Sequence, residues 1–212
     1  MHRELMTLNT YRLRMTTDAC IDHGYAVGYR ILWPETAGVL ARLANALAYA
    51  PSRDLVVPQR FTHAGFYAGE WPDEIGWLVD RTEELVLARA RRRARIGLMQ
   101  WRVNDIAIQK YDPNDADGGI GWHRDFASDK HLVVVYTVQG KAVVWIDDKK
   151  GGKREYLIKF GDAMLLVAPD PISGDDPRLR HCVGKALDDE SRISIALRMN
   201  ITDSDGGQGY DE

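Results

Sequence analysis

Cysteine, long apolar runs and net charge are all scarce in this sequence, and each scarcity argues against a class of protein. The only cysteines among the 212 residues are Cys20 and Cys182, and they form no CxxC pair. We therefore predict reduced thiols in a cytoplasmic protein. No run of about 18 or more apolar residues is present, so we expect no membrane span. The segment 1–15 lacks an apolar core, so we expect no secretion signal. A net charge of -3 provides no global attraction to nucleic acid.

The first half of the sequence indicates helices. Apolar residues at helical spacing predict a helix over 36–50, and residues 73–95, acidic at the start and basic at the end, predict a second. The segment 54–71 between them is rich in aromatic residues, glycine and proline, so it is either a connection or a lid over a pocket. We assign residues 1–104 to an N-terminal helical region that belongs to the same domain as the rest of the chain.

The second half indicates strands, because short β-branched segments alternate with turn residues from residue 105 onward. The segments are DIAIQKY, HLVVVYTV, KAVVWID, REYLIKF, AMLLVA and RISIALRM. This spacing predicts a sandwich or barrel, with a jelly roll among the options, and helices gathered on one side would make the fold α+β. We take residues 105–200 as the strand-rich core and predict a disordered acidic tail over 201–212.

The stretch GGIGWHRDF at 118–126 carries the strongest chemical signal. On an extended strand His123 and Asp125 would point to the same face and could reach one metal ion. Two histidines and one carboxylate, with positions left open, are the ligand set of non-haem Fe(II) oxygenases. Taken alone, an HxD pair is more often a surface or turn pair, because the chain has 6 His and 31 Asp and Glu residues.

A metal site of this kind needs a second histidine from a distant strand. The candidates are His2, His23, His63, His131 and His181. His181 begins a predicted strand well separated from Asp125 in sequence, which makes it the best placed of the five. His131, at the start of the strand that follows Asp125, is the next choice.

The last predicted strand carries two arginines on one face, and that face is expected to point into the β-core. In SRISIALRMN, strand alternation places Arg192, Ser194 and Arg198 on one face. An arginine that faces a β-core is costly unless it meets an anion, and its planar guanidinium suits a carboxylate. The pattern therefore predicts either an anchored ligand carboxylate or a salt bridge to an acidic residue at the edge of the core.

Taken in order, these motifs resemble the AlkB-like Fe(II)/2-oxoglutarate dioxygenases. The order is Tyr111, GGIGWHRD, GDAMLLV, RHCV and R-x5-R, and the similarity runs from about residue 55 to 200. The upstream VPQR, followed by aromatic residues, is similar to the family's substrate lid. The resemblance implies a double-stranded β-helix, or jelly-roll, core with the N-terminal helices packed on one side. It also implies Fe(II) as cofactor and 2-oxoglutarate and O2 as cosubstrates.

The resemblance further implies roles for individual residues. The metal ligands, which are also the catalytic residues, are His123, Asp125 and His181. The cosubstrate-binding residues are Tyr111, Gln109, Arg192, Ser194 and Arg198. Arg192 would pair with the distal carboxylate of 2-oxoglutarate, with Tyr111 helping and Arg198 supporting the same site. Gln109 and Ser194 are departures, because the family usually has asparagine at both positions.

For the substrate, the resemblance implies a base in methylated DNA or RNA, which would be demethylated oxidatively or hydroxylated, as in repair. The candidate substrate contacts are Arg60, Phe61, Tyr67, Trp71, Trp122 and Arg124. The basic run ARARRRAR at 88–95 is either a phosphate-binding surface or a solvated helix end. The alternatives are a hydroxylase of a small molecule or amino acid on the same core, and a non-catalytic jelly-roll binding module. We expect a monomer without a membrane partner.

Overall fold

The computed structural model describes most of the chain. The described residues are 6–51, 59–67, 69–115, 118–148, 152–169 and 176–201. The predicted acidic tail lies outside them beyond residue 201, as do residues 52–58 and 68 of the predicted lid.

The three α-helices lie in the N-terminal half of the chain, with β-strands between them. The helices are α1 (Thr10–His23), α2 (Pro34–Asn45) and α3 (Asp73–Arg92), and a short 3-10 helix follows at Leu98–Gln100. The two predicted helices are confirmed as α2 and α3, although each ends a few residues earlier than the sequence pattern indicates. Among the described residues no helix has both the length and the apolar character needed to cross a membrane.

The sequence pattern does not predict α1, because its buried face is partly polar. Leu13 and Cys20 are buried in this helix, but Thr16 and Thr17 are buried as well. Their hydroxyl groups donate to the main-chain carbonyls of Arg12 and Leu13, both at 2.8 Å. Threonine can replace an apolar residue on this face because its hydroxyl is satisfied one turn back, and the apolar spacing is therefore interrupted.

Two antiparallel sheets account for the strands. The strands are β1 (Tyr25–Gly28), β2 (Ala50–Pro51), β3 (Gln59–Arg60), β4 (Thr62–Tyr67), β5 (Asp105–Tyr111), β6 (Gly119–His123), β7 (Asp129–Gln139), β8 (Lys141–Asp147), β9 (Lys153–Lys159), β10 (Ala163–Val167), β11 (His181–Val183) and β12 (Arg192–Asn200). One sheet has the order β1-β10-β7-β12-β5-β4-β2 and the other β3-β6-β11-β8-β9. The six predicted strand segments are confirmed as β5, β7, β8, β9, β10 and β12.

Strands β5 to β12 wind between the two sheets. β5, β7, β10 and β12 belong to the seven-stranded sheet, whereas β6, β8, β9 and β11 belong to the five-stranded sheet. The N-terminal half adds β1, β2 and β4 to the large sheet and β3 to the small one. The predicted lid is therefore partly built into the sheets, through β3 beside β6 and β4 beside β5.

Two apolar cores lie on opposite faces of the large sheet. On one face, Val134 and Ile195 pack with the helical residues Leu40 and Leu78. On the other face, a second cluster fills the space between the sheets; it includes Tyr111, Val144, Met164 and Val183. Alternate residues of each strand thus face the helices or the small sheet. This layering confirms the predicted α+β fold, a double-stranded β-helix with helices packed on one side.

Gly119, in the GGIGWHRDF stretch, is required by the pairing of β6 with β11. Its φ angle is +129°, and an added Cβ would lie 2.2 Å from the carbonyl oxygen of Val183. We therefore expect Gly119→Ala to lower the free energy of unfolding by about 2–5 kcal/mol, since backbone strain and steric overlap add. Urea denaturation measures the change.

Gly69→Ala is the matched control for this prediction. Gly69 also has a positive φ, of +88°, but an added Cβ would meet no atom of the described residues within 4 Å. The control should therefore show the strain contribution alone. Equal losses in Gly119→Ala and Gly69→Ala would mean that the close approach to Val183 has no energetic weight.

Candidate metal centre

Two neighbouring strands of the small sheet bring together a His-Asp-His cluster. His123 ends β6 and His181 begins β11, and the antiparallel register places them opposite each other. Their ring centroids are 4.3 Å apart. A carboxylate oxygen of Asp125 lies 4.0 Å from Nε2 of His123 and 3.7 Å from Nε2 of His181. One ligand atom from each residue lies within 4.8 Å of the other two, and both histidines are buried.

Asp125 reaches the cluster differently from the sequence-based expectation. β6 ends at His123, so Asp125 lies in the loop that follows and the alternation of one strand does not place it. The loop turns back before β7, with the N–H of Asp129 donating to the carbonyl of Phe126 at 3.0 Å. The spacing of the HxD pair was informative, but the loop path determines where the carboxylate lies.

The histidine rings are oriented by main-chain carbonyls. Nδ1 of His123 is 2.8 Å from the carbonyl oxygen of Gly121, and Nδ1 of His181 is 3.2 Å from that of Leu179. A carbonyl oxygen only accepts, so we assign the proton to Nδ1 in each ring. Nε2 then keeps its lone pair and faces Asp125. Two imidazole nitrogens and one carboxylate oxygen fit a divalent first-row transition metal.

The other candidate histidines lie elsewhere. Among the described residues, the cluster contains neither His23, at the end of α1, nor His63, exposed on β4. His131 is buried in β7 with a φ angle of +63°. Its main-chain N–H donates to the carbonyl of Pro169, and its carbonyl accepts from the N–H of Ala168. His2 lies outside the described residues.

Arg192 forms the centre of a second polar site, between the sheets. It is 2% exposed, and its guanidinium carbon lies 4.9 Å from the centroid of the Tyr111 ring, on the paired strand β5. Nη2 donates to Oγ1 of Thr137 at 3.3 Å. Within the described part of the chain, Nε and Nη1 have no hydrogen-bond partner. Burial lowers the pKa of Arg192. Two buried donors without acceptors fit a ligand carboxylate, which would satisfy both.

Neutral polar groups surround this arginine. The Tyr111 hydroxyl and the Ser194 hydroxyl each donate to Oε1 of Gln109 at 3.1 Å. Burial raises the pKa of Tyr111, so its hydroxyl stays protonated. The structure therefore groups four of the five predicted cosubstrate residues around one point: Tyr111, Gln109, Arg192 and Ser194.

Arg198 has different surroundings. It forms an ion pair with Asp105 at 2.5 Å, and its guanidinium lies 5.9 Å from the ring of Phe126, next to Asp125. Six residues of an extended strand separate Arg192 from Arg198, which corresponds to roughly 20 Å. The structure thus places Arg198 near the loop that carries Asp125 and not beside Arg192.

The candidate substrate residues are spread over several surfaces. Tyr67 is 68% exposed on β4, and it pairs with Asp105 on the same face as the ion pair with Arg198. The Phe61 ring packs against Tyr111 with a centroid distance of 5.3 Å. For Arg60 the structure gives only the main-chain pairing of β3 with β6.

The remaining substrate candidates do not point toward the cluster. Trp71 packs against the core on the helical face of the large sheet. Trp122 neighbours His123 on β6, so it faces the other side of the small sheet, where Lys153 Nζ lies 4.6 Å from its ring. Nε of Arg124 donates to the carbonyl of Arg178 at 3.3 Å. Trp71 and Trp122 therefore lie away from the His-Asp-His cluster, and their contact with a substrate stays a prediction.

Several residues of the site region escaped the sequence-based reasoning. Thr137 is the hydroxyl partner of Arg192, Asp105 is the partner of Arg198, and Arg178 contacts Asp125. Only Thr137 left a local signal, because alternation in HLVVVYTV directs it to the same side as Val133. The other two are long-range partners that no local pattern shows.

Asp129 gives the metal-free protein a predictable pH dependence. Burial raises its pKa from 3.8 to about 7, against the opposing effect of Arg198. Between these values the folded state holds a proton that the unfolded state has lost, so stability falls as the pH rises. We expect Asp129→Asn to gain stability relative to wild type by about 2–3 kcal/mol between pH 5 and pH 8, at ~1.36 kcal/mol per pKa unit. Urea denaturation at both pH values measures this gain.

The control is Asp80→Asn, at an exposed position of α3. Its stability relative to wild type should not change between the two pH values. A constant difference between wild type and Asp129→Asn would contradict the raised pKa of Asp129.

Comparisons with known proteins find similarity in structure and not in sequence. No protein-family model and no curated protein matches the sequence. A Pseudomonas putida prolyl-4-hydroxylase superposes with a TM-score of 0.68 at 13% identity, covering 89% of this chain and 99% of that one. A Burkholderia pseudomallei oxidoreductase of the 2OG-Fe(II) oxygenase family gives 0.61 at 12%, covering 91% and 94%. The OsALKBH1 structure gives 0.56 at 13%, covering 84% and 98%.

The fold is therefore that of the 2-oxoglutarate and Fe(II)-dependent oxygenases, a double-stranded β-helix that spans most of this chain. Because the prolyl hydroxylase and OsALKBH1 both match at 13% identity, the likeness does not single out the AlkB-like subgroup.

Proposed function

We propose that the protein is an Fe(II)- and 2-oxoglutarate-dependent dioxygenase. The observation that carries this proposal is the convergence of His123, Asp125 and His181 within 4.8 Å. Arg192 supports the proposal as well. It lies between the same two sheets, and its buried Nε and Nη1 have no hydrogen-bond partner among the described residues. His123, Asp125 and His181 would hold the metal, and Arg192 would hold the cosubstrate.

When bound, Fe(II) and 2-oxoglutarate supply the oxidising chemistry, in which O2 is consumed, the cosubstrate becomes succinate and CO2, and a substrate C–H bond is oxidised. The two histidines and Asp125 would hold the metal through three ligand atoms, so that the cosubstrate and O2 could bind at its remaining positions. Arg192 orients the distal carboxylate with a two-pronged contact. The Tyr111 hydroxyl stays protonated, so it adds no negative charge beside that carboxylate.

Apolar side chains lie around these polar residues. Val144, Met164 and Val183 are buried between the sheets, beside the strands that carry the polar residues. They exclude water, which strengthens the contact of Arg192 with a carboxylate and limits side reactions.

For the substrate, we propose a methylated base in DNA or RNA, oxidised at the N-methyl group or the ring. Two features support it. Tyr67 offers an exposed ring on the site side of β4, where a base can stack, and Arg91, Arg92 and Arg93 expose positive charge near the end of α3. The AlkB-like order of motifs in the sequence supports the same choice.

A second candidate is hydroxylation of a peptide, and the similarity to a prolyl-4-hydroxylase favours it. The alignment covers 99% of that enzyme's chain. A small-molecule substrate has similar structural support, because the epimerase SnoN, solved with nogalamycin RO, superposes with a TM-score of 0.65 at 12% identity, covering 90% of this chain and 84% of that one.

A succinate-release screen tests these assignments. Purified protein is assayed with methylated DNA, methylated RNA, prolyl peptides and a metabolite panel, with His181→Ala as the inactive control. Formaldehyde and succinate from a methylated oligonucleotide would support the first candidate, and succinate with a peptide alone would support the second. No succinate with any substrate, together with no bound iron, would leave a binding module as the function.

A further inference from the structure

We propose that Arg178 is a positioning residue for the metal ligand Asp125. It acts through crossed hydrogen bonds that we call the arginine clasp, formed by Arg124, Asp125, Asp176 and Arg178. The clasp joins the two chain segments that carry the ligands. This inference rests on the proposed function, because it concerns the same metal centre.

The guanidinium of Arg178 uses all three of its nitrogens. Nη1 donates to the main-chain carbonyl of Asp125 at 2.7 Å, while Nε and Nη2 donate to the two carboxylate oxygens of Asp176 at 2.8 and 2.7 Å. The side chain of Arg178 is 6% exposed and that of Asp176 is 49% exposed, so the pair is shielded from water on the arginine side. The hydrogen bonds from Arg178 lower the pKa of Asp176 and keep it charged. The two-pronged pair therefore fixes the guanidinium plane and directs Nη1 toward Asp125.

A second contact runs in the opposite direction. Nε of Arg124 donates to the main-chain carbonyl of Arg178 at 3.3 Å. Arg124 lies between the ligands His123 and Asp125, and Arg178 lies three residues before His181. Each segment thus donates one side-chain bond to the main chain of the other, and a shift between them breaks both.

The arginine clasp holds Asp125, which the pairing of β6 with β11 does not position. The register of β6 and β11 fixes His123 against His181, but Asp125 lies beyond the end of β6. A bond to the main-chain carbonyl of Asp125 holds the loop while leaving its carboxylate available for a metal. Losing a partner that supports a metal ligand costs about 10–100-fold in metal affinity. We expect the lower end, about tenfold, because Arg178 contacts the backbone and not the carboxylate.

The experiment titrates Mn(II) into the full-length protein and follows free Mn(II) by electron paramagnetic resonance. Arg178→Gln should weaken Mn(II) binding about tenfold. Arg178→Lys should lie between this variant and wild type, because lysine can reach one acceptor but lacks the fork. Arg81→Gln is the matched control. Arg81 forms an ion pair with Glu84 on the solvent-facing side of α3, and removing that pair should leave Mn(II) affinity unchanged.

Melting temperature of the metal-free protein separates positioning from general stabilisation. A lower Tm in Arg178→Gln with unchanged Mn(II) affinity overturns the proposal. If Arg178→Gln does not fold, Arg178→Lys carries the same comparison. Wild-type protein that binds no Mn(II), or whose binding is unaffected by His181→Ala, overturns the metal centre and the clasp together. Binding that depends on His181 but is retained by the Arg178 variants overturns the clasp alone.

Discussion

Alanine in place of His123, Asp125 or His181 is expected to abolish Fe(II)-dependent succinate formation while the protein stays folded. These side chains provide the three ligand atoms of the cluster, and no other His, Cys, Asp or Glu among the described residues joins them there. Each substitution leaves two protein ligands, too few to hold the metal in a fixed orientation. The fold survives because the apolar cores on both faces of the large sheet do not include these residues.

Anaerobic Fe(II) titration and succinate release measure the effect, and circular dichroism with Tm reports on the fold. The control is His63→Ala, at an exposed position of β4, which should keep both Fe(II) binding and succinate release. His131→Asn tests the competing histidine, since asparagine tolerates the positive φ of this position. Normal iron affinity in His181→Ala, combined with a loss in His131→Asn, would move the distal ligand to His131.

Arg192→Ala is expected to weaken 2-oxoglutarate binding by about thirtyfold or more. Removing one partner of a buried charge pair costs about 2–5 kcal/mol, and each ~1.4 kcal/mol is tenfold in affinity. Arg192→Lys keeps the charge and loses the fork, so it should lie between Arg192→Ala and wild type. Fe(II) affinity should change little, because Arg192 is not in the His-Asp-His cluster.

Titration of 2-oxoglutarate into anaerobic, Fe(II)-loaded protein measures this directly. The control is the triple change Arg91→Ala, Arg92→Ala and Arg93→Ala, at exposed positions at the end of α3 and just beyond it. It should leave 2-oxoglutarate affinity unchanged. For a nucleic-acid substrate it should weaken substrate binding, more so at low salt. An unaltered 2-oxoglutarate affinity in Arg192→Ala would remove Arg192 as the cosubstrate anchor.

Periodic patterns in the sequence were sufficient for elements that carry a clear local repeat. The strands β5, β7, β8, β9, β10 and β12 were predicted because β-branched residues and turn residues mark them locally. α1 was not, because Thr16 and Thr17 take buried positions that apolar residues normally fill. β1 is only four residues long, and too little of the chain alternates to reveal it.

Residue types determined much of the chemistry before any coordinates. Two residues in an HxD pair, a later histidine and an arginine on the last strand already indicate a metal and an anion. Residue types could not show which of these side chains lie close together. His123 and His181 are 58 positions apart in sequence, and only the register of their strands places them opposite each other. Arg192 and Arg198 show the same limit: alternation put both on one face, yet only tertiary packing gave them different partners, Thr137 and Asp105.

By itself, then, the sequence determined the fold class, the donor types at the site and the face of the last strand that carries its arginines. These depend on side-chain chemistry and on periods of two or three to four residues, which are local properties. Only the tertiary structure decided that Asp125 reaches the histidines from a loop, that Arg178 holds that loop, and that Trp71 packs on the helical face. Those outcomes depend on strand register, loop path and sheet order. These determine which residues far apart in sequence come into contact, and no local periodicity in the sequence shows them.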